Sequence, residues 1–266
     1  MDNRPIGIFD SGIGGLTVMR EVRKILPHEE IIYFGDTARV PYGAKSKDTV
    51  TRFSRESIRF LLRHNVKLVV VACNTASSLS LPVLARSFKV PIIGVIKPGV
   101  RRALEGRQRG VVGVIGTRAT VSSGAYEALL KKLDPSLRVI SKPCPLFVPI
   151  VEEGWLNNRV TSNIIREYLD EFKKKKIGAL ILGCTHYPLL KPAIKKYMGK
   201  DVELIDSACE TAKMVRGALT EKGLLTSKRR RPRHKYFVTD EPSVFKSVGE
   251  TFLGGRIESI KKVRIA

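Results

Sequence analysis

Short apolar runs rich in β-branched residues alternate along this chain with longer stretches whose apolar residues recur at helical spacing. IGIF (6–9), IIYFG (31–35), LVVVA (68–72), IIGVI (92–96), VVGVI (111–115), LRVIS (137–141), ALILG (179–183), VELI (202–205) and YFVT (236–239) read as strands. Between them, 47–64 is typical of the helical stretches, with Val50, Phe53, Ile58, Leu61 and Leu62 on one face. Strands this apolar, separated by helices, predict an α/β fold: mostly parallel sheets with helices on both faces.

The pattern is also doubled. GIFDSGIGGLTV (7–18) and GVIGTRATVSSG (113–124) each pass from a strand through a Gly/Ser/Thr turn into a helix. Asp10 precedes Cys73 by 63 residues, and Thr117 precedes Cys184 by 67. Two similar domains related by a pseudo-twofold are expected, with the active site between them. The expected division is 1–97 plus 208–266 for the first and 98–207 for the second. The chain would cross at IKPGV (96–100) and IDSACET (205–211), the latter opening a helix with Ser207 and Glu210 spaced as a capping box.

Two of the strands break in the same unusual way. LVVVA runs into Cys73, Asn74 and Thr75; ALILG runs into Cys184, Thr185 and His186. Ligands of parallel α/β sheets collect at the carboxyl ends of the strands. A helix expected just after each cysteine would offer unpaired amides and a positive dipole end, which lower a thiol pKa and bind carboxylates. Cys144, between Pro143 and Pro145, and Cys209, in a first helical turn, read as structural. Two thiols facing one ligand suit inversion of a carbon centre, where a base on one face needs an acid on the other. A hydrolase needs instead one nucleophile and a histidine base.

Other positions carry chemistry less distinctly. Asp10 and Ser11 end the first strand, where Asp10 could orient a thiol or a substrate ammonium, or simply cap a helix. Gly12 and Gly14, with Asp36 ending the next strand, approach a dinucleotide fingerprint, but Thr17 stands where the third glycine belongs. The loop DTARVPYGAKS (36–46), with Pro41, Tyr42 and Gly43, suits a substrate wall or a plain turn. His186 could tune Cys184, although a lone histidine is ordinarily structural, and Glu152 has no claim from periodicity.

Composition narrows the class. The chain has 266 residues, 43% hydrophobic and 27% charged, as a globular protein does. No apolar run approaches the roughly 20 residues of a membrane span, and no basic leader opens the sequence, so a cytoplasmic protein is expected. The four cysteines and four histidines show no zinc-like spacing, and no metal site is expected. The formal charge of +23 is gathered partly in KKKK (173–176) and SKRRRPRHK (227–235). Such a field is ordinarily a solvated face; it also attracts nucleic acid non-specifically, or draws in an anionic substrate. A rival reading is a basic nucleic-acid-binding protein on an α/β scaffold, reliant on Arg229, Arg230 and Arg231.

Taken together, GIFDSGIGGLTV, YFGDTARVPYG, VVACNTAS, FVPIVEEG and LILGCTHYPLL resemble the glutamate racemases, from residue 6 to about 240. The resemblance implies a cofactor-independent enzyme of two α/β domains that supplies D-glutamate for peptidoglycan, as a homodimer. It implies that Cys73 acts on D-glutamate and Cys184 on L-glutamate, with Asp10 assisting the first and Glu152 with His186 the second. Substrate contacts would come from Asp10, Ser11, Pro41, Tyr42, Gly43, Asn74, Thr75, Thr185 and His186. Aspartate racemases share the paired-cysteine logic; CNTA, GCTHYP and DSGIGG favour glutamate. The high basic charge departs from the family. No extension precedes IGIFDSG, so control through one is not expected.

Overall fold

The computed structural model describes residues 1–105 and 110–265. The first half runs β1 (Ile6–Asp10), α1 (Leu16–Ile25), β2 (Ile31–Gly35), α2 (Lys47–Arg63), β3 (Leu68–Val71), α3 (Asn74–Ser87), β4 (Ile92–Gly94) and α4 (Ile96–Glu105). The second continues with β5 (Val111–Gly116), α5 (Arg118–Ser122), α6 (Ala125–Leu133), β6 (Arg138–Pro143), α7 (Phe147–Glu152) and α8 (Arg159–Lys174). There follow β7 (Ala179–Gly183), α9 (Lys191–Met198), β8 (Glu203–Asp206), α10 (Ser207–Glu221), β9 (Lys235–Val238), α11 (Pro242–Leu253) and β10 (Ile260–Lys262).

The strands form two sheets, ordered β10-β9-β2-β1-β3-β4 and β6-β5-β7-β8, and every pairing is parallel. The order β2-β1-β3-β4 recurs as β6-β5-β7-β8, so the doubling legible in the sequence is a repeated topology. Cys73 follows the third strand of one repeat and Cys184 the third strand of the other. β9 and β10 extend the first sheet at its edge. β1, β2, β3 and β7 are buried throughout, as parallel strands covered on both faces must be.

Helix ends follow local chemistry. Ser46 caps α2, its hydroxyl accepting from Thr49 N at 3.3 Å, and Thr117 caps α5 in the same way through Thr120 N. At the second crossing Asp206 is the cap, accepting from Ala208 N at 2.9 Å. The capping box expected from Ser207 and Glu210 does not form, because the helix opens one residue earlier and Asp206 takes the cap position. At the first crossing the helix opens at Ile96, so IIGVI yields only a three-residue strand. Lys67 and Glu29, both buried, pair at 2.6 Å. Lys67 Nζ also donates to the carbonyls of Asp2 and Leu224, which ties the chain's start and the segment after α10 to the entry of β3. Without those partners a buried lysine would be costly.

Candidate active site

The carboxyl ends of the two sheets meet, and glycines let them. A Cβ on Gly14 would collide with the Thr185 hydroxyl and the His186 ring; one on Gly15 would lie 2.5 Å from Asp10 Cβ. Thr17 Oγ1 lies 2.9 Å from Gly14 O and 3.0 Å from Thr185 O, so its single proton can bridge the two loops. The near-fingerprint of glycines therefore serves close approach of backbone rather than a dinucleotide. Thr17, where the third glycine would stand, has a use of its own.

Cys73 is the N-cap of α3, and Ala76 N donates to its sulfur at 3.5 Å. The expectation that a helix N-terminus lowers this thiol is corrected by burial. Removal from water, followed by the nearby Asp10 carboxylate, pushes Cys73 up to about 12, against the weaker pull of the amide. Cys184 differs from the expectation in another respect. It is followed not by an α-helix but by Thr185, His186 and a 3₁₀ turn, Tyr187–Leu190, before α9. Its sulfur lies 3.9 Å from His186 Nδ1.

His186 is held on its other side by Glu152, whose Oε1 lies 2.8 Å from Nε2, with Phe252 edge-on to the ring at 5.0 Å. Burial opposes charge on this imidazole, but its contacts with Cys184 and Glu152 outweigh that and push it up to about 10. The ring's charged form is thus favoured by its place between a sulfur and a carboxylate. Glu152, at the end of α7, is half exposed.

Asp10 is completely buried. Its Oδ2 accepts from Gly12 N at 2.9 Å, while Oδ1 has no partner. Burial raises its pKa. Asn74 mirrors this: Oδ1 accepts from Tyr126 OH at 2.7 Å, and Nδ2 is buried without a partner. One buried acceptor and one buried donor are thus left without a partner among the described residues. Thr75 reaches across to the second sheet, its Oγ1 at 2.9 Å from Thr117 Oγ1 and 3.3 Å from Thr120 Oγ1.

The 36–46 loop leans on the same place. Asp36 is fully buried and accepts from Arg39 Nε, the Tyr42 hydroxyl and the Thr239 hydroxyl. Arg39 is paired in turn with Glu56. Tyr42 is buried, and Gly43 packs so tightly on Thr117 that a Cβ would come within 2.7 Å of it. Pro41 stands at the exposed rim, and Ser11 is half-buried beside Asp10. Cys144 is buried and Cys209 half-buried; burial raises both thiols, and neither has, among the described residues, a paired acid or base like that of Cys184.

Residue patterns did not single out Thr120 or Tyr126. Thr117 had a signal, as the counterpart of Asp10 in the doubled motif, and T-x-x-T at a strand end would have added Thr120. Tyr126 lies on α6, one buried ring among many, and nothing in its spacing marks it.

A sequence model of the family described as Asp/Glu/Hydantoin racemase matches residues 7–215. The glutamate racemase of Geobacter metallireducens is 49% identical over 262 residues, 98% of this chain and 97% of that protein. The crystal structure of glutamate racemase from Francisella tularensis in complex with D-glutamate is 43% identical. It superposes with a TM-score of 0.92, covering 99% of this chain and 98% of that one. That of Thermus thermophilus, in complex with β-chloro-D-alanine, is 48% identical with a TM-score of 0.89 over 99% and 98%. The chain belongs to the Asp/Glu/Hydantoin racemase family, and within it to the glutamate racemases.

Proposed function

We propose that this protein interconverts L- and D-glutamate by two-base proton transfer at the α-carbon, without a cofactor. The observation that carries the reading is the pair of thiols at equivalent strand ends of a four-strand order that recurs in two sheets that meet. Cys184 as thiolate takes the α-proton of L-glutamate, and the Cys73 thiol returns one to the opposite face; the roles exchange in reverse. Asp10 Oδ1 accepts from the substrate ammonium. Asn74 Nδ2 and the amides of Ser11, Asn74, Thr75 and Thr185 receive carboxylate charge. An amino-acid α-carbon is a very weak acid, so fixed donors in a site emptied of water must carry much of the stabilisation. Both thiols are almost wholly buried. Substrate therefore enters by parting of the lobes 1–97 with 208–266 and 98–207. The product would feed peptidoglycan synthesis in the cytoplasm, and a homodimer is the assembly the family suggests.

Proton NMR of L-glutamate in D₂O, with reduced protein and nothing added, tests the reading. The α-proton signal should vanish while D-glutamate accumulates. An unchanged L-glutamate spectrum would sink it, and loss of the α-proton of L-aspartate instead would move the substrate to that amino acid.

The loop makes a separate prediction. Asp36→Asn removes the charge that gathers Arg39, Tyr42 and Thr239, and a hydrogen bond to a charged group is worth about 1.5–3 kcal/mol. We expect kcat/KM to fall roughly tenfold, tenfold being about 1.4 kcal/mol, and mainly through KM. Tyr42→Phe should cost less. Steady-state kinetics on both variants checks this, and an unchanged KM would detach the loop from substrate binding.

A further inference from the structure

The run at 227–235 has no part in the chemistry above, and its place in the fold is specific. It leads into β9, whose first residue, Lys235, pairs beside Ile32 of β2. Lys228 and Lys235 are drawn toward Glu30. Arg231, Pro232 and Arg233 turn instead toward the C-terminal half of α1 and the segment after α11. Together these enclose a groove of about 610 Å³.

The charge along this groove is nearly all of one sign. Arg20, Arg23 and Lys24 come from α1, Arg231 and Arg233 from the run, and Arg256 from beyond α11, with Glu258 as the only carboxylate in the lining among the described residues. Glu21 engages Arg20 and Lys24 at 3.0 and 2.9 Å. Arg23, Arg231, Arg233 and Arg256 have no carboxylate partner among the described residues. Arg23 from one side and Arg231 from the other line the same groove as His234. His234 Nδ1 accepts from Ile31 N at 3.3 Å, which leaves its Nε2–H as a further donor.

The groove lies at the amino ends of β2, β9 and β10, the edge of the first sheet opposite the thiols. Its occupant need not compete with glutamate. Arginine side chains from several walls match phosphate oxygens. Tyr236, the aromatic residue in the lining, is buried, so no platform invites a stacked base. The +23 field of the whole chain acts on every charge of a long polyanion and on few charges of a small one.

From these features we infer that the groove between α1 and residues 231–234 binds the phosphodiester backbone of nucleic acid, without sequence preference. The test is fluorescence anisotropy of a labelled 12-nucleotide oligothymidylate at 50, 100 and 200 mM salt. Saturable binding should weaken with salt at a slope of about 0.7 per phosphate contact. Arg231→Ala/Arg233→Ala should lose at least tenfold at 100 mM and about 1.4 of that slope, two contacts' worth. Lys174→Ala/Lys175→Ala removes the same charge from the other basic run and should lose less than threefold; both variants should unfold at the wild-type temperature. Equal losses in the two variants would overturn the groove in favour of diffuse charge. So would absence of saturation at 100 mM. Competition by tripolyphosphate at the oligonucleotide's own affinity would give the groove to small polyanions and overturn it as well.

Discussion

Replacing either Cys73 or Cys184 with alanine should lower racemisation by more than about 10³-fold, while Cys144→Ala and Cys209→Ala stay near wild type. The magnitude follows from what each thiol does: a positioned acid or base contributes on the order of 10²–10⁴, and inversion needs both. The more informative result lies in what each single variant keeps. Under the proposed two-thiol scheme, with Cys184 gone, Cys73 would still face the α-proton of D-glutamate and could exchange it with solvent, returning the proton to the same face. With Cys73 gone, the same holds for L-glutamate. In D₂O, Cys184→Ala should slowly wash the α-proton out of D-glutamate only, and Cys73→Ala out of L-glutamate only. Wash-out of both enantiomers by one single-cysteine variant would mean one base reaches both faces, and the two-thiol scheme would fall. The chemistry of the remaining sulfur, rather than overall integrity, is being read, so loss of fold cannot imitate the pattern.

The sequence carried this much because the site is built from strand ends, which periodicity locates well. An apolar run stopping on cysteine, followed by residues that cannot continue it, appears twice at matched distances in the repeat. What it could not carry is set by distance and dielectric. The rise of Cys73 to about 12 depends on how completely the surrounding fold removes it from water, and that overrides the helix end visible in the local sequence. Thr17 looks like a flaw in a glycine motif until Thr185 O is found 168 residues away. Tyr126 reaches Asn74 across 52 residues with no spacing to announce it. The strand β10 escaped notice because only Ile260 of its three residues is shielded; Lys261 and Lys262 face water and give no apolar signal. Local pattern reports elements and their ends, whereas the pairing of side chains between elements follows from the assembled fold.

His186→Asn should cost about 10²-fold in kcat/KM, within the range of a positioned proton-transfer partner, and by the same factor in both directions. L- and D-glutamate have equal free energy in water, so their kcat/KM values on any form of the enzyme must be equal. A residue serving one thiol therefore cannot reveal itself as a one-sided loss of kcat/KM. It reveals itself in how the loss divides. The imidazolium lies between Cys184 and Glu152, and its charge is present below about pH 10 and lost as pH rises through that value. Removing it makes the enzyme form that accepts L-glutamate scarcer, so KM for L-glutamate should rise relative to KM for D-glutamate, and kcat must follow by the same ratio. The ratio of wild-type to variant kcat/KM should be flat from pH 6 to 9 and shrink above 10, where the wild type loses the same charge; titration of the substrate amine cancels in that ratio. Glu152→Gln should show the same asymmetry at about a tenth of the size. Its carboxylate is half exposed, where solvent screens an ion pair, and the amide oxygen can still accept from Nε2–H. A loss shared evenly between the two KM values would reduce His186 to a packing residue and leave Cys184 without a named assistant.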